Sequence, residues 1–195
     1  MSLRIYVEGG GNISATKRLC RAGFAQFFNK ALGDAPKPQV IACGGRGEAF
    51  DMFQRGLEEP GSALLLVDSE GPVTPGASAS AHLARQDKWT RPRRATDEQI
   101  HLMVQRIEAW FLADPKALAL FYGNTFNRKL LKDWKNVELL AKKDVLDLLK
   151  RATKGTYDKG SHGFELLQHI DPVKVREKSP HAERLWVALR RARSR

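Results

Sequence analysis

Two short stretches carry carboxylates to the point where an apolar run gives way to a turn. LRIYVEGGGN, residues 3–12, ends its run on Glu8; ALLLVDSEG, residues 63–71, ends on Asp68 and Glu70. If both runs are neighbouring strands of a parallel sheet, the three acids meet outside the carboxyl edge, where open α/β sheets bind ligands. Asp68 and Glu70 are two apart, so extended backbone would aim both side chains the same way. Crowded anions repel and need a cation or a shared proton between them. An all-oxygen donor set suits Mg²⁺ or Mn²⁺, which keep several waters and engage phosphates. That is the chemistry of metal-assisted phosphodiester cleavage. The plainer reading is that single acids at strand ends cap the helices that follow. Gly9, Gly10 and Gly11 lack the third spaced glycine of a dinucleotide turn, and no Gly-Lys-Ser/Thr follows. They read instead as a place where backbone and phosphate can come close beside Glu8.

Further candidates have two readings each. Glu108 follows the fourth strand, as another acid of the cluster or as a carboxylate at the favourable end of a helix dipole. Arg46, in GGRGE, sits near a helix start that could hold a phosphate, or pairs with Glu48 or Asp51. YDKGSHGFE places Lys159 and His162 in a glycine-flanked turn, able to present a cation to a scissile phosphate. Alternatively His162 caps the next helix and Lys159 is solvated. Arg91, Arg93 and Arg94 are candidate phosphate grips or a solvated charge run. His101 begins its strand toward the wrong edge and reads as structural; Trp110, Phe111 and Leu112 read as core. The closing RRARSR reads as a basic tail.

These residues need elements to position them. Residues 3–8 alternate as a strand, and a helix capped by Asn12 or Ser14 should run to Leu32 through Phe24, Phe27 and Phe28. QVIACGG is a second strand and RGEAFDMFQRGLEE a second helix. SALLLVDSEG is an unalternated strand, the mark of burial on both sheet faces. Strand–helix–strand–helix–strand with short connections predicts an α/β fold with a mostly parallel sheet of about four strands, order 2-1-3-4, flanked by helices. Residues 71–98 read as a long surface loop over the carboxyl edge. IHLMVQRIEAWFLAD is a fourth strand running into a short helix, and Pro115 opens another. From about 127 the chain reads as helical, with Ser179 capping a helix that has Pro180 at its first position and Glu183 in its first turn. The expected division is a core of 1–114 and a helical C-terminal extension of 115–195.

Composition is that of a globular chain, 42% apolar and 28% charged. The longest aliphatic run, Ala63 to Val67, is far too short to span a bilayer, so no membrane segment and no signal peptide are expected. Two cysteines without metal spacing fit a reduced, cytoplasmic setting. The net charge of +11 lies wholly in residues 81–195, with 25 Lys/Arg against 14 Asp/Glu; residues 1–80 balance at 8 each. A basic second half predicts an acidic partner, most simply nucleic acid, DNA or RNA; a merely soluble basic surface is the alternative.

Several blocks also resemble a known family: YVEGGGN, ACGGRGEAFD, LLLVDSEGPV, HLMVQRIEAWFLAD, YDKGSHGFELLQHIDP and SPHAERL. They look like the Toprim-like proteins of a large uncharacterised prokaryotic family related to the overcoming-lysogenization-defect nucleases. The resemblance runs nearly end to end. It implies a strand-one glutamate, matched by Glu8, and a strand-three acidic pair, matched by Asp68 and Glu70, around a divalent metal. It further implies an ABC/SMC-type ATPase encoded nearby, in operons of anti-phage type. Two positions depart from the pattern. The second acid of the pair is Glu70 rather than aspartate, and Asn12 stands where nuclease-type members often carry a further acid. The expectation is therefore a Mg²⁺- or Mn²⁺-dependent nuclease with Glu8, Asp68 and Glu70 on metal, Glu108 assisting, and Lys159, His162 and Arg46 at the phosphate. A non-catalytic nucleic-acid- or ATPase-binding subunit is one rival. A phosphoacceptor or phosphatase domain using Asp68 as nucleophile is the other; a receiver domain would need an acidic pair at strand one and a lysine after a fifth strand.

Overall fold

The computed structural model describes residues 2–192. Strands β1 (Leu3–Glu8), β2 (Gln39–Gly44), β3 (Ser62–Asp68) and β4 (Ile100–Met103) form one all-parallel sheet in the order β2-β1-β3-β4. That is the expected 2-1-3-4 order. Helices α1 (Ser14–Leu32) and α2 (Arg46–Gly56) make the first two crossovers. α1 starts where expected, but its N-cap is Ile13, with no side-chain cap bond, rather than Asn12 or Ser14. The reason lies upstream: Gly9, Gly10 and Gly11 all take positive φ, so the chain enters α1 through a backbone-built turn.

Residues 71–98 are not simply a loop. They contain helix α3 (Ala79–Asp87), and a 3₁₀ turn over Asp97–Gln99 leads into β4. Ser78 Oγ accepts from the Ala81 amide at 3.2 Å, while Ala79, His82 and Leu83 are buried. Its small, turn-rich composition hides this helix, because its buried face is only Ala79, His82 and Leu83. Beyond β4 come α4 (Glu108–Leu112), α5 (Pro115–Tyr122), α6 (Lys142–Ala152), α7 (His162–His169), α8 (Pro172–Lys178) and α9 (Pro180–Arg191). Between α5 and α6 the chain is not helical but a series of 3₁₀ turns. Ser179 caps α9, accepting from the Ala182 amide. The last residues of the basic tail, 193–195, lie outside the described residues.

Alternation along the strands divides the interior into two layers. Ile5, Val7, Val40, Ala42, Leu64, Leu66 and Met103 point to a core shared with α1, α4 and the C-terminal helices, centred on Phe24, Phe27, Phe28 and Trp110. Tyr6, Cys43, Leu65, Val67, Ile100 and Leu102 point the other way, onto Ala49, Phe50 and Phe53 of α2 and Leu83 of α3. Both faces are covered, so β3 carries no polar alternation. Among the described residues no helix is long and apolar enough to cross a membrane.

Candidate active site

The carboxyl edge of the two central strands carries the acids. β1 and β3 are hydrogen-bonded neighbours with Val7 opposite Leu66, so Glu8 and Asp68 leave the sheet side by side. Glu8 Oε2 accepts from the Asp68 amide at 3.0 Å. Asp68 Oδ1 accepts from the Ile107 amide at 2.8 Å, and only 4% of the residue is exposed. Glu70 arrives differently from the sequence expectation. β3 has already ended, and Glu70 takes φ 62°, so no extended pair with Asp68 exists. Its amide donates to the Gln105 carbonyl at 3.0 Å, which fixes that turn. The left-handed residue still swings its carboxylate back, and Glu8, Asp68 and Glu70 each offer an oxygen within 4.8 Å of the others.

Electrostatics follow from this crowding. Burial, then the charges of Glu8 and Glu108, hold the Asp68 carboxyl well above its usual range, although Lys159 opposes them. Burial also raises Glu8, against the Asp68 amide and Arg46. Among the described residues no cationic side chain pairs with Asp68, and one of its oxygens takes no hydrogen bond. Glu8 and Glu70 have Arg46 and Lys142 as partners. Three convergent carboxylates of this spacing fit a hard divalent cation such as Mg²⁺ or Mn²⁺ by donor chemistry.

The cleft above the acids holds about 450 Å³ and is walled by Gly9–Asn12, Thr16, Lys159, Gly160 and Phe164. Gly9 has φ 143°, and a Cβ there would lie 2.7 Å from Phe164 Cζ, so only glycine admits this wall. Asn12 lines the cleft where a further acid was looked for. Lys159 reaches it as expected, exposed and without an ion-pair partner among the described residues, its charge acting on both Glu8 and Asp68.

Three other candidates are placed elsewhere. Arg46 is not free to grip phosphate, nor does it pair with Glu48 or Asp51. Its guanidinium donates to the Asp68 carbonyl, lies 3.5 Å from Glu8, holds Asp87 at 2.6 Å and sits 5.3 Å over the Trp89 ring. The segment expected to be loop thus supplies, through the end of α3, the two groups that aim Arg46 at β1. Glu108 is not a cluster ligand. It is fully buried, bonded to Arg106 Nε at 2.7 Å and to the Tyr157 hydroxyl at 3.1 Å, since α4 turns it inward beneath the cleft. Through Tyr157 it anchors the turn that carries Lys159. His162 starts α7, and its imidazole faces α5, 3.1 Å from the Tyr122 hydroxyl between the rings of Phe121 and Tyr122, not the cleft.

Two of the loop arginines are engaged with other partners: Arg91 donates to the Ala95 carbonyl and Arg94 pairs with Glu58. His101 is structural as expected, buried with Nε2 3.0 Å from the Glu98 carbonyl. A separate cavity of about 310 Å³ lies between β4 and α9, walled by Ile100, Leu102 and Val187. Sequence reasoning missed Asp87, Trp89, Arg106, Tyr157 and Lys142. For Lys142 a signal existed: Lys142 and Lys143 open α6 at the end of the helix dipole that disfavours positive charge.

No curated protein and no solved structure matches the chain. A family model does, over residues 7–190, and the chain belongs to that family, described as a domain of unknown function (DUF4276).

Proposed function

We propose that this chain is a Toprim-like, Mg²⁺- or Mn²⁺-dependent phosphodiesterase that cleaves DNA or RNA, working in anti-phage defence beside an ABC/SMC-type ATPase. One observation carries the catalytic part. Glu8, Asp68 and Glu70 bring three oxygens within 4.8 Å, and the most buried of them, on Asp68, has no cationic partner among the described residues. Such a buried anion is tolerable only with a cation or a proton.

Glu8, Asp68 and Glu70 would hold the ion, which when bound supplies Lewis-acid activation of water and phosphate. The chain's own residues do the rest. The Asp68 and Ile107 amides fix the rotamers of Glu8 and Asp68, so both present oxygens without reorganisation. Lys159, on the opposite wall, meets the anionic charge of a phosphodiester entering the cleft. Arg46 keeps Glu8 aimed, and the Glu108–Tyr157 bond holds the Lys159 turn over the floor. The basic second half supplies the long-range attraction for nucleic acid.

The pairing of Glu8 with Arg46 and of Glu70 with Lys142 favours a second reading, a nucleic-acid- or ATPase-binding subunit with a degenerate site. The test separates them. Purified chain with Mn²⁺ should cut labelled single- or double-stranded DNA or RNA, and Asp68→Asn should abolish cutting while leaving salt-sensitive binding. Equal cutting by both proteins assigns the activity to a contaminant. Binding with no cutting on any substrate selects the second reading.

A further inference from the structure

Two locally unfavourable choices meet at a single ion pair. Glu70 is a non-glycine residue in left-handed backbone, at φ 62°. Lys142 is the first residue of α6, whose N-cap Ala141 supplies no side-chain acceptor, so its charge opposes the helix dipole. Both side chains keep some access to solvent, Lys142 36% and Glu70 25% exposed. Violations of local preference concentrate at functional positions. One residue sets both partners: the Gln105 carbonyl accepts from the Glu70 amide, and Gln105 Oε1 accepts from the Lys142 amide, each at 3.0 Å. The pair is therefore built from the backbone outward, unlike a chance surface contact.

Its position gives it meaning. The Lys142 ammonium rests on one of the three carboxylates that share a centre, while Asp68, 96% buried by its 4% exposure, keeps an unbonded oxygen toward the cleft. We propose that Lys142 is a resident counter-cation of the acid cluster, and that a divalent ion must take Glu70 from it. Resting on the metal-site reading above, this makes ion entry and release of Lys142 from Glu70 one event. Lys142 sits on Glu70 Oε2, and a dication ligated by that same oxygen would meet the ammonium at close range, so the two compete for it. Arg46 is not displaced in the same way, because Asp87, the Asp68 carbonyl and Trp89 hold it in place. The chain thus has one fixed and one exchangeable cation at the cluster, and Glu70 is the exchangeable ligand.

The measurement is Mn²⁺ affinity of the full chain, followed by electron paramagnetic resonance of free Mn²⁺ without nucleic acid. Lys142→Met, which keeps the aliphatic stem and removes the charge, is expected to bind about tenfold more tightly than wild type. Glu70→Gln should bind more weakly, and Lys142→Met in the Glu70→Gln background should recover only a small part of the gain. Circular dichroism and thermal melting confirm that each variant is folded. Folded Lys142→Met with wild-type or weaker affinity would overturn the exchange, and so would a full gain that persists without Glu70. Asp68-dependent binding that Lys142→Met leaves unchanged removes this inference alone; no Mn²⁺ binding by wild type or any variant removes the metal reading with it.

Discussion

Asp68→Asn separates a residue selected for chemistry from one selected for stability. At 4.8 Å, a pair of unit charges interacts by about 3.5 kcal/mol at an effective dielectric near 20. Asp68 faces two such neighbours, whose charges Arg46 and Lys142 partly offset. Asparagine keeps the volume and, with its carbonyl oxygen in place of Oδ1, the bond from Ile107. We therefore expect the metal-free variant to be about 2 kcal/mol more stable than wild type at pH 8. For a chain of this size that raises Tm by about 6 °C. The sign with pH follows from linkage: Asp68 binds its proton more tightly folded than unfolded. Wild-type stability is thus lost as pH climbs above the ordinary aspartate range, and the gap to Asp68→Asn opens in the same direction. Excess Mn²⁺ should reverse the ranking, because at a hundredfold above Kd a ligand adds about 2.7 kcal/mol to wild type alone. Urea denaturation between pH 4 and 8, with and without Mn²⁺, reads all of this. A metal-free variant less stable than wild type at pH 8 would show that Asp68 is a structural strand terminus and refute the reasoning.

Three other expectations concern the supports of the site. Tyr157→Phe removes the hydroxyl bonded to Glu108 and should cost about 1–2 kcal/mol in chemical denaturation while leaving Mn²⁺ affinity unchanged; a large fall in affinity would restore Glu108 to the ligand set. Gly9→Ala combines positive φ with a Cβ 2.7 Å from Phe164, so a loss of about 2 kcal/mol or more is expected, against roughly 1 kcal/mol for Gly11→Ala, where space is open. Burial lowers the His101 pKa from 6.5 to about 4, with His181 and Arg184 adding to it against the Glu98 carbonyl. A depressed histidine stabilises the fold fully only above its unfolded pKa. Wild type should therefore lose about 2 kcal/mol relative to His101→Gln between pH 7.5 and 5 in urea melts.

Much of the fold was legible because its signals are local. The unalternated β3 announced a sheet covered on both faces, and the short crossovers then left little freedom in strand order. α3 was hidden because short helices rich in alanine and serine carry little periodicity, and tertiary packing rather than propensity makes them. Site residues divide along a similar line. Glu8 and Asp68 were readable because a strand end is a position that topology brings to one edge. Where Glu108, His162 and Arg46 point was not readable, because which way a side chain turns from a helix start depends on what packs beside it. Arg106 and Tyr157 draw Glu108 inward, Tyr122 draws His162 toward α5, and Asp87 with Trp89 holds Arg46 down.

The order of residues alone determined that acids would stand at the carboxyl ends of adjacent parallel strands, since apolar patterning and chain crossover are properties of the covalent sequence. Only the folded molecule decided which charges answer them. Lys142 lies 72 residues from Glu70, and Arg46 38 residues from Glu8, and no local rule couples groups so far apart. Their pairing is set by where packed helices deliver the last few ångströms of a side chain, a quantity that exists only once the core has formed.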